Sequence, residues 1–220
     1  MPEKFDPQRW FDKIQETWAP FAQTRFVIPF CTPIFERPSA VVVGKNHSDF
    51  VKGGGKESDL IAAEFANGLP KINTFLDHNH KFASGLKTIC KRASIEIDET
   101  WIGTNRCAVQ TGPDGIIEIE RNRHFFDCQD KMDGILCELF AEIVPRNVIL
   151  TGEYAAALYY PDAGRTPISL LRPRDITFPN TDSTTRVIPI HHPSRATYWQ
   201  PAAETLSKYF IRDDRSSKEL

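Results

Sequence analysis

Four short apolar runs constrain this chain more than any other feature: residues 39–44 (SAVVVG), 100–105 (TWIGTN), 147–152 (NVILTG) and 186–191 (RVIPIH). Continuous apolar runs of four to six residues fit strands buried on both faces. Residues 58–67, 81–93, 127–144 and 201–210 lie between or after them and read as helices. Strands and helices in alternation predict a three-layer α/β/α sandwich around a central, mainly four-stranded parallel sheet. A further run, residues 115–120 (GIIEIE), alternates apolar and polar and is expected to form a hairpin strand.

The chain has 220 residues, enough for one domain with a substantial core. Trp10, Phe11, Ile14 and Trp18 recur at helical spacing, so residues 7–23 are expected to form an amphipathic helix laid on the body. A proline-bearing arm leads from there into the first strand. The expected division is residues 1–38 as helix and arm, 39–212 as the domain and 213–220 as a polar tail.

No apolar run approaches the roughly 20 residues of a membrane span, and MPEKFDPQRW lacks a signal-peptide core. The expectation is a soluble, cytoplasmic monomer with no membrane partner. Five cysteines, odd in number and without a C-x-x-C pair, argue against a zinc ribbon, a thioredoxin-type site or a disulfide framework. They read as reduced core thiols. A formal charge of -2 gives no global sign of a nucleic-acid binder, although a local basic surface is compatible with it.

In parallel sheets ligands bind outside the carboxyl ends of the strands. The residues there are Asn46-His47-Ser48, Asn105-Arg106, Gly152-Glu153 and His191-His192-Pro193-Ser194. Gly53-Gly54-Gly55-Lys56 imitates a phosphate loop, but Glu57 replaces the required Ser or Thr and Phe50 the first glycine. His78 and His80 lack a third metal ligand at informative spacing and read as loop or helix-cap residues. Cys107 and Cys128 read as structural thiols rather than nucleophiles or cluster ligands.

The segment RVIPIHHPSRATYW, with His192-Pro193-Ser194 directly after an apolar strand, resembles the second signature of the uracil-DNA glycosylase superfamily. AVVVGKNHSDF resembles its first signature, read as strand, glycine turn and then Asn46. TWIGTNRCAV resembles the strand whose asparagine reads the flipped base, and PRNVILTGEYAAAL its third strand and following helix.

The resemblance implies hydrolysis of the N-glycosidic bond of a flipped pyrimidine deoxynucleotide, uracil or a related base, without metal or cofactor. By that similarity His192 donates a hydrogen bond to O2 of the base, Asn46 holds the attacking water and Asn105 meets the Watson–Crick edge. His47 and Ser48 line the pocket wall. Phe50, Phe65 and Phe75 are the aromatic candidates for stacking on the base. Arg195 is the candidate to fill the gap in the duplex, with Tyr198 or Trp199 next. Ser194, Lys52, Lys56, Arg172 and Arg174 complete the expected DNA-binding set, and DNA holding the target base is the expected partner.

The chain departs from the family pattern at His47, where proline is usual, and at Ser48, where strict uracil enzymes carry a tyrosine that excludes C5 substituents. An enzyme for a C5-modified or hypermodified pyrimidine, acting in antiviral defence, is therefore one alternative. A non-catalytic DNA- or nucleotide-binding relative is another. The iron–sulfur subfamily is excluded by its missing N-terminal cysteine pair, and His191 has no assigned role.

Overall fold

A computed structural model describes residues 5–23, 25–46, 56–77, 80–110, 119–179 and 181–212. Its first helix, α1 (Pro7–Trp18), begins where Asp6 accepts a hydrogen bond from the Gln8 amide, with proline in the first turn. Trp10, Phe11, Ile14 and Trp18 are all buried, as the spacing predicts. The helix stops short of residue 23 and becomes a 3-10 turn at Ala19–Phe21. Pro20 lacks the amide hydrogen that would continue the α-helical ladder.

The strands are β1 (Ala40–Asn46), β2 (Ile102–Cys107), β3 (Asn147–Thr151), β4 (Arg174–Thr177) and β5 (Thr184–Ile190). They form one sheet in the order β2-β1-β3-β5-β4, with β2, β1, β3 and β5 parallel and β4 antiparallel to β5. The helices after α1 are α2 (Lys56–Ala66), α3 (Thr74–Asp77), α4 (Lys81–Arg92), α5 (Phe125–Ile143), α6 (Gly152–Ala156) and α7 (Trp199–Tyr209). The sandwich is the one the alternation predicts, with one additional strand.

That strand, β4, escapes the sequence reading because it has no apolar stripe. Its four residues are exposed except for half-buried Ile176. It is a charged edge strand tied to β5 by the Arg186–Asp175 ion pair, of a kind that discourages further strand pairing. The opposite edge is covered by the arm: Ile28 and Cys31 donate backbone hydrogen bonds to Ala108 and Gly103.

Alternation along the strands divides the core into two layers. Val41, Val43, Ile102, Val148, Leu150 and Val187 pack with α1 and α5. Ala40, Val42, Ile149, Ile188 and Ile190 pack with α4 and α7 on the other face. Of the expected hairpin strand, residues 115–118 lie outside the described residues, while Ile119 and Glu120 are helical rather than extended. The 213–220 tail also lies outside them.

All five cysteines are free; four are buried and Cys137 is half-buried. Burial pushes the Cys31 thiol up to about 11 and the Cys90 and Cys107 thiols up to about 12. Such thiols are poor nucleophiles near neutral pH. Among the described residues no helix is long and apolar enough to cross a membrane.

Candidate functional site

The strand order places β1 and β3 at the centre, where the chain's connections diverge to opposite sides, and the candidate residues lie along the carboxyl edge. In this register Gly44 is opposite Asn105 and Asn46 opposite Cys107. Gly44 is therefore not a turn glycine, because β1 runs through it to Asn46. Its task is to leave room: a Cβ built there would lie 2.1 Å from Oδ1 of Asn105. The Asn105 amide thus lies across the backbone of β1, 8% exposed. No described residue hydrogen-bonds that amide.

His192 follows β5 and is held by its own loop. Its Nδ1 accepts a hydrogen bond from the Ser194 amide at 3.3 Å, at the long end of the range. In the neutral ring this leaves the proton on Nε2, which becomes a donor. Burial, and then the charges of Arg195, Lys45 and Lys81, push the imidazole down to about 4. The ring is neutral at physiological pH.

The loop is fixed at Pro193. Its carbonyl accepts from the Trp199 indole at 2.6 Å, and it lies so close to α4 that a Cβ on Gly85 would sit 2.1 Å from it. The Trp199 indole thus helps to hold the loop. His192 also meets Phe82 of α4 edge to face at 5.3 Å between ring centres, and Phe82 stacks with Phe75 at 6.2 Å. Phe75 in turn presses on Gly103, two residues before Asn105 on the same face of β2. A line of aromatic rings connects the two candidate groups.

A cleft of about 490 Å³ opens beside His192 and is lined also by Lys45, Glu153, Tyr154, His191, Arg195 and Tyr198. Asn105 and Phe75 are not among its lining. His191, unassigned from sequence, stacks face to face on Tyr198 at 4.1 Å. This contact makes Tyr198, the second choice after Arg195 for filling the duplex gap, part of the cleft wall. Arg195 is exposed above the cleft, while Ser194 is half-buried and contributes its backbone amide.

Behind the cleft, Arg106 pairs with Asp133 at 2.8 and 2.5 Å and donates to the Tyr154 carbonyl at 3.0 Å. The Tyr154 hydroxyl donates to Gln129 Oε1 at 2.5 Å. Two cations approach the Tyr154 ring, Lys45 at 5.4 Å and Arg106 at 5.2 Å from its centre. Burial raises the Tyr154 hydroxyl, so it remains a protonated donor.

The other expected residues are scattered. Phe65 is fully buried in the core and Phe75 is 2% exposed, so Phe65 offers no face to a base and Phe75 only an edge of the aromatic line. Arg174 is not a loop residue; it opens β4, sits 4.7 Å from the centre of the Tyr160 ring and donates to the Tyr159 carbonyl. Arg172 is exposed and lines a second cleft, between β5 and α7. Lys56 is exposed at the start of α2.

The side chain of Asn46 and all of His47, Ser48, Phe50, Lys52 and His78 lie outside the described residues. His80 is the N-cap of α4, its Nδ1 accepting from the Ala83 amide at 3.4 Å. Phe82 and Lys45 were missed. The available signals were an aromatic beside a helix cap and a lysine between two candidate residues, and neither has meaning before the elements are packed. Compared with known protein families and with curated proteins, the chain matches none.

Proposed function

We propose that the chain is a monofunctional DNA glycosylase that hydrolyses the bond between deoxyribose and a flipped pyrimidine, uracil or a related base, leaving an abasic site. The observation that carries this reading is His192: a neutral imidazole at the carboxyl edge of a parallel sheet, with Nδ1 occupied and Nε2 left as donor. An imidazole that stays neutral in a cationic setting is suited to donate a hydrogen bond without first losing a proton. Asn105, held over Gly44 without a partner among the described residues, supports the reading as an amide available to a base edge.

In the reaction C1′–N1 breaks and its electron pair leaves with the base, whose O2 gains negative charge while the sugar becomes oxocarbenium-like. A donor preorganised toward that oxygen stabilises the transition state more than the ground state. Nε2–H of His192 is assigned that role. Asn46, at the end of β1, is assigned the water that attacks C1′, which then loses a proton to solvent. Asparagine positions water but is too weak a base to take its proton.

Oligonucleotides bearing uracil, mismatched thymine or C5-modified cytosines, treated with alkali after incubation with the protein, provide the test. The expected result is strand breaks at one or more of these bases. His192→Ala is expected to lose about 10²–10³ in single-turnover rate with the fold retained, and Asn46→Ala to lose most of the activity. Absence of breaks on the whole panel would sink the proposal. Preference for a C5-modified base over uracil would select the narrower alternative.

A further inference from the structure

We infer that Lys45 binds a phosphodiester of the substrate strand, beside the nucleotide held at His192. The inference rests on the glycosylase reading for the identity of the ligand, and on the cleft for its chemistry. Lys45 is half-buried on β1 between Gly44 and Asn46. Successive side chains of a strand point to opposite faces, so Lys45 leaves the sheet on the face away from Gly44 and the Asn105 amide.

Its ammonium has a defined place. It sits 5.4 Å from the centre of the Tyr154 ring, and that ring is anchored by its hydroxyl to Gln129 and by its carbonyl to Arg106. A cation over an aromatic face is held without being neutralised. Lys45 is thus a lysine whose charge is directed and, among the described residues, unpaired.

Two cations from different elements line the cleft, Lys45 from β1 and Arg195 from the loop after β5. Both, together with Lys81 of α4, lower the His192 imidazole. Arg9, Lys13, Arg106 and Arg186 are each paired with a carboxylate, whereas Lys45, Lys81 and Arg195 are unpaired among the described residues. Glu153, exposed, is the acidic side chain in the described lining of the cleft. Two cations with no ion pair among the described residues, against one exposed carboxylate, favour entry of an anion into the cleft.

Two anions occur in the proposed reaction, the departing base and the backbone phosphates. His192 already addresses the base, and Lys45 lies across β1 from the amide assigned to its edge. A backbone phosphate is the anion left for Lys45, and a compact ammonium suits it as a point charge.

The experiment measures Kd by fluorescence anisotropy on oligonucleotides carrying 2′-fluorodeoxyuridine, whose glycosidic bond resists hydrolysis. Phosphates flanking that nucleotide are replaced one at a time by neutral methylphosphonate. For the unaltered protein, one position is expected to weaken binding about tenfold. Lys45→Met, which keeps an unbranched apolar stem without the charge, is expected to bind about tenfold more weakly and to be indifferent to that position; Lys45→Arg restores the response. The slope of log K against log salt becomes shallower by roughly one in Lys45→Met.

Overturning results are a scan in which no flanking phosphate matters to the unaltered protein, or a Lys45→Met protein that remains as sensitive as its parent. The scan of the unaltered protein decides the matter even if Lys45→Met fails to fold. Uracil excision is measured in parallel to separate the two readings. Coupled binding without excision keeps the phosphate site and sinks the glycosylase, whereas excision without coupling does the reverse.

Discussion

Replacing Gly44 by alanine tests the geometry on which the candidate site depends. The new methyl would begin 2.1 Å from Oδ1 of Asn105, and real Cβ contacts essentially never fall under 3.0 Å. The amide must therefore retreat by roughly 1 Å, a movement a side-chain rotation can supply. Overpacking of this kind costs about 1–3 kcal/mol. Against it stands a gain of about 0.4–1 kcal/mol from restricting the unfolded chain at a strand position.

Gly44→Ala should consequently be destabilised by up to about 2.5 kcal/mol in urea unfolding. The same change made in an Asn105→Ala background should be neutral or slightly stabilising. The coupling between the two sites, about 1–3 kcal/mol from a double-mutant cycle, is the quantity to measure. Excision by Gly44→Ala should fall about 10²-fold, because a displacement near 1 Å of a positioning group has that scale of effect. An equal stability loss with and without the Asn105 side chain would refute the reasoning, because the methyl would then be meeting something else.

Two further predictions concern His192 and its loop. Its imidazole titrates near 6.5 when unfolded and at about 4 when folded, so the unfolded chain binds more protons between those values and stability is lost as pH is lowered through that window. The full shift corresponds to about 3 kcal/mol, reduced by the ring's partial exposure to on the order of 1–3 kcal/mol. Urea titrations at pH 7 and 4.5 should show less acid sensitivity in His192→Gln. His191, also lowered by burial, retains part of the effect in that variant. Gly85→Ala puts a methyl 2.1 Å from the backbone carbonyl of Pro193, which cannot rotate aside. Calorimetry should show a loss of about 1–3 kcal/mol or more, and the Trp199 fluorescence should change as the loop moves.

Much of the fold is readable from periodicity. The four parallel strands fall within two or three residues of the apolar runs, because a strand covered on both faces must be apolar throughout. The buried stripe of α1 is readable for the same reason, and its early end follows from Pro20. Strand β4 is not readable, since its partner β5 holds it through backbone pairing and one ion pair rather than through an apolar stripe. Of the candidate site, the presence of His192 and Asn105 at strand ends follows from chain order.

The amino-acid order alone determines which residues lie inside each strand and helix, and so which candidates reach the carboxyl edge. Folding decides what each of them meets. Gly44 becomes a seat for the Asn105 amide and Tyr198 a wall for His191. Lys45 becomes a cation aimed into a cleft, and His192 a neutral donor. The reason is physical: burial along one element is written in its own periodicity, whereas clash, stacking and the field at an imidazole depend on groups brought from distant parts of the chain.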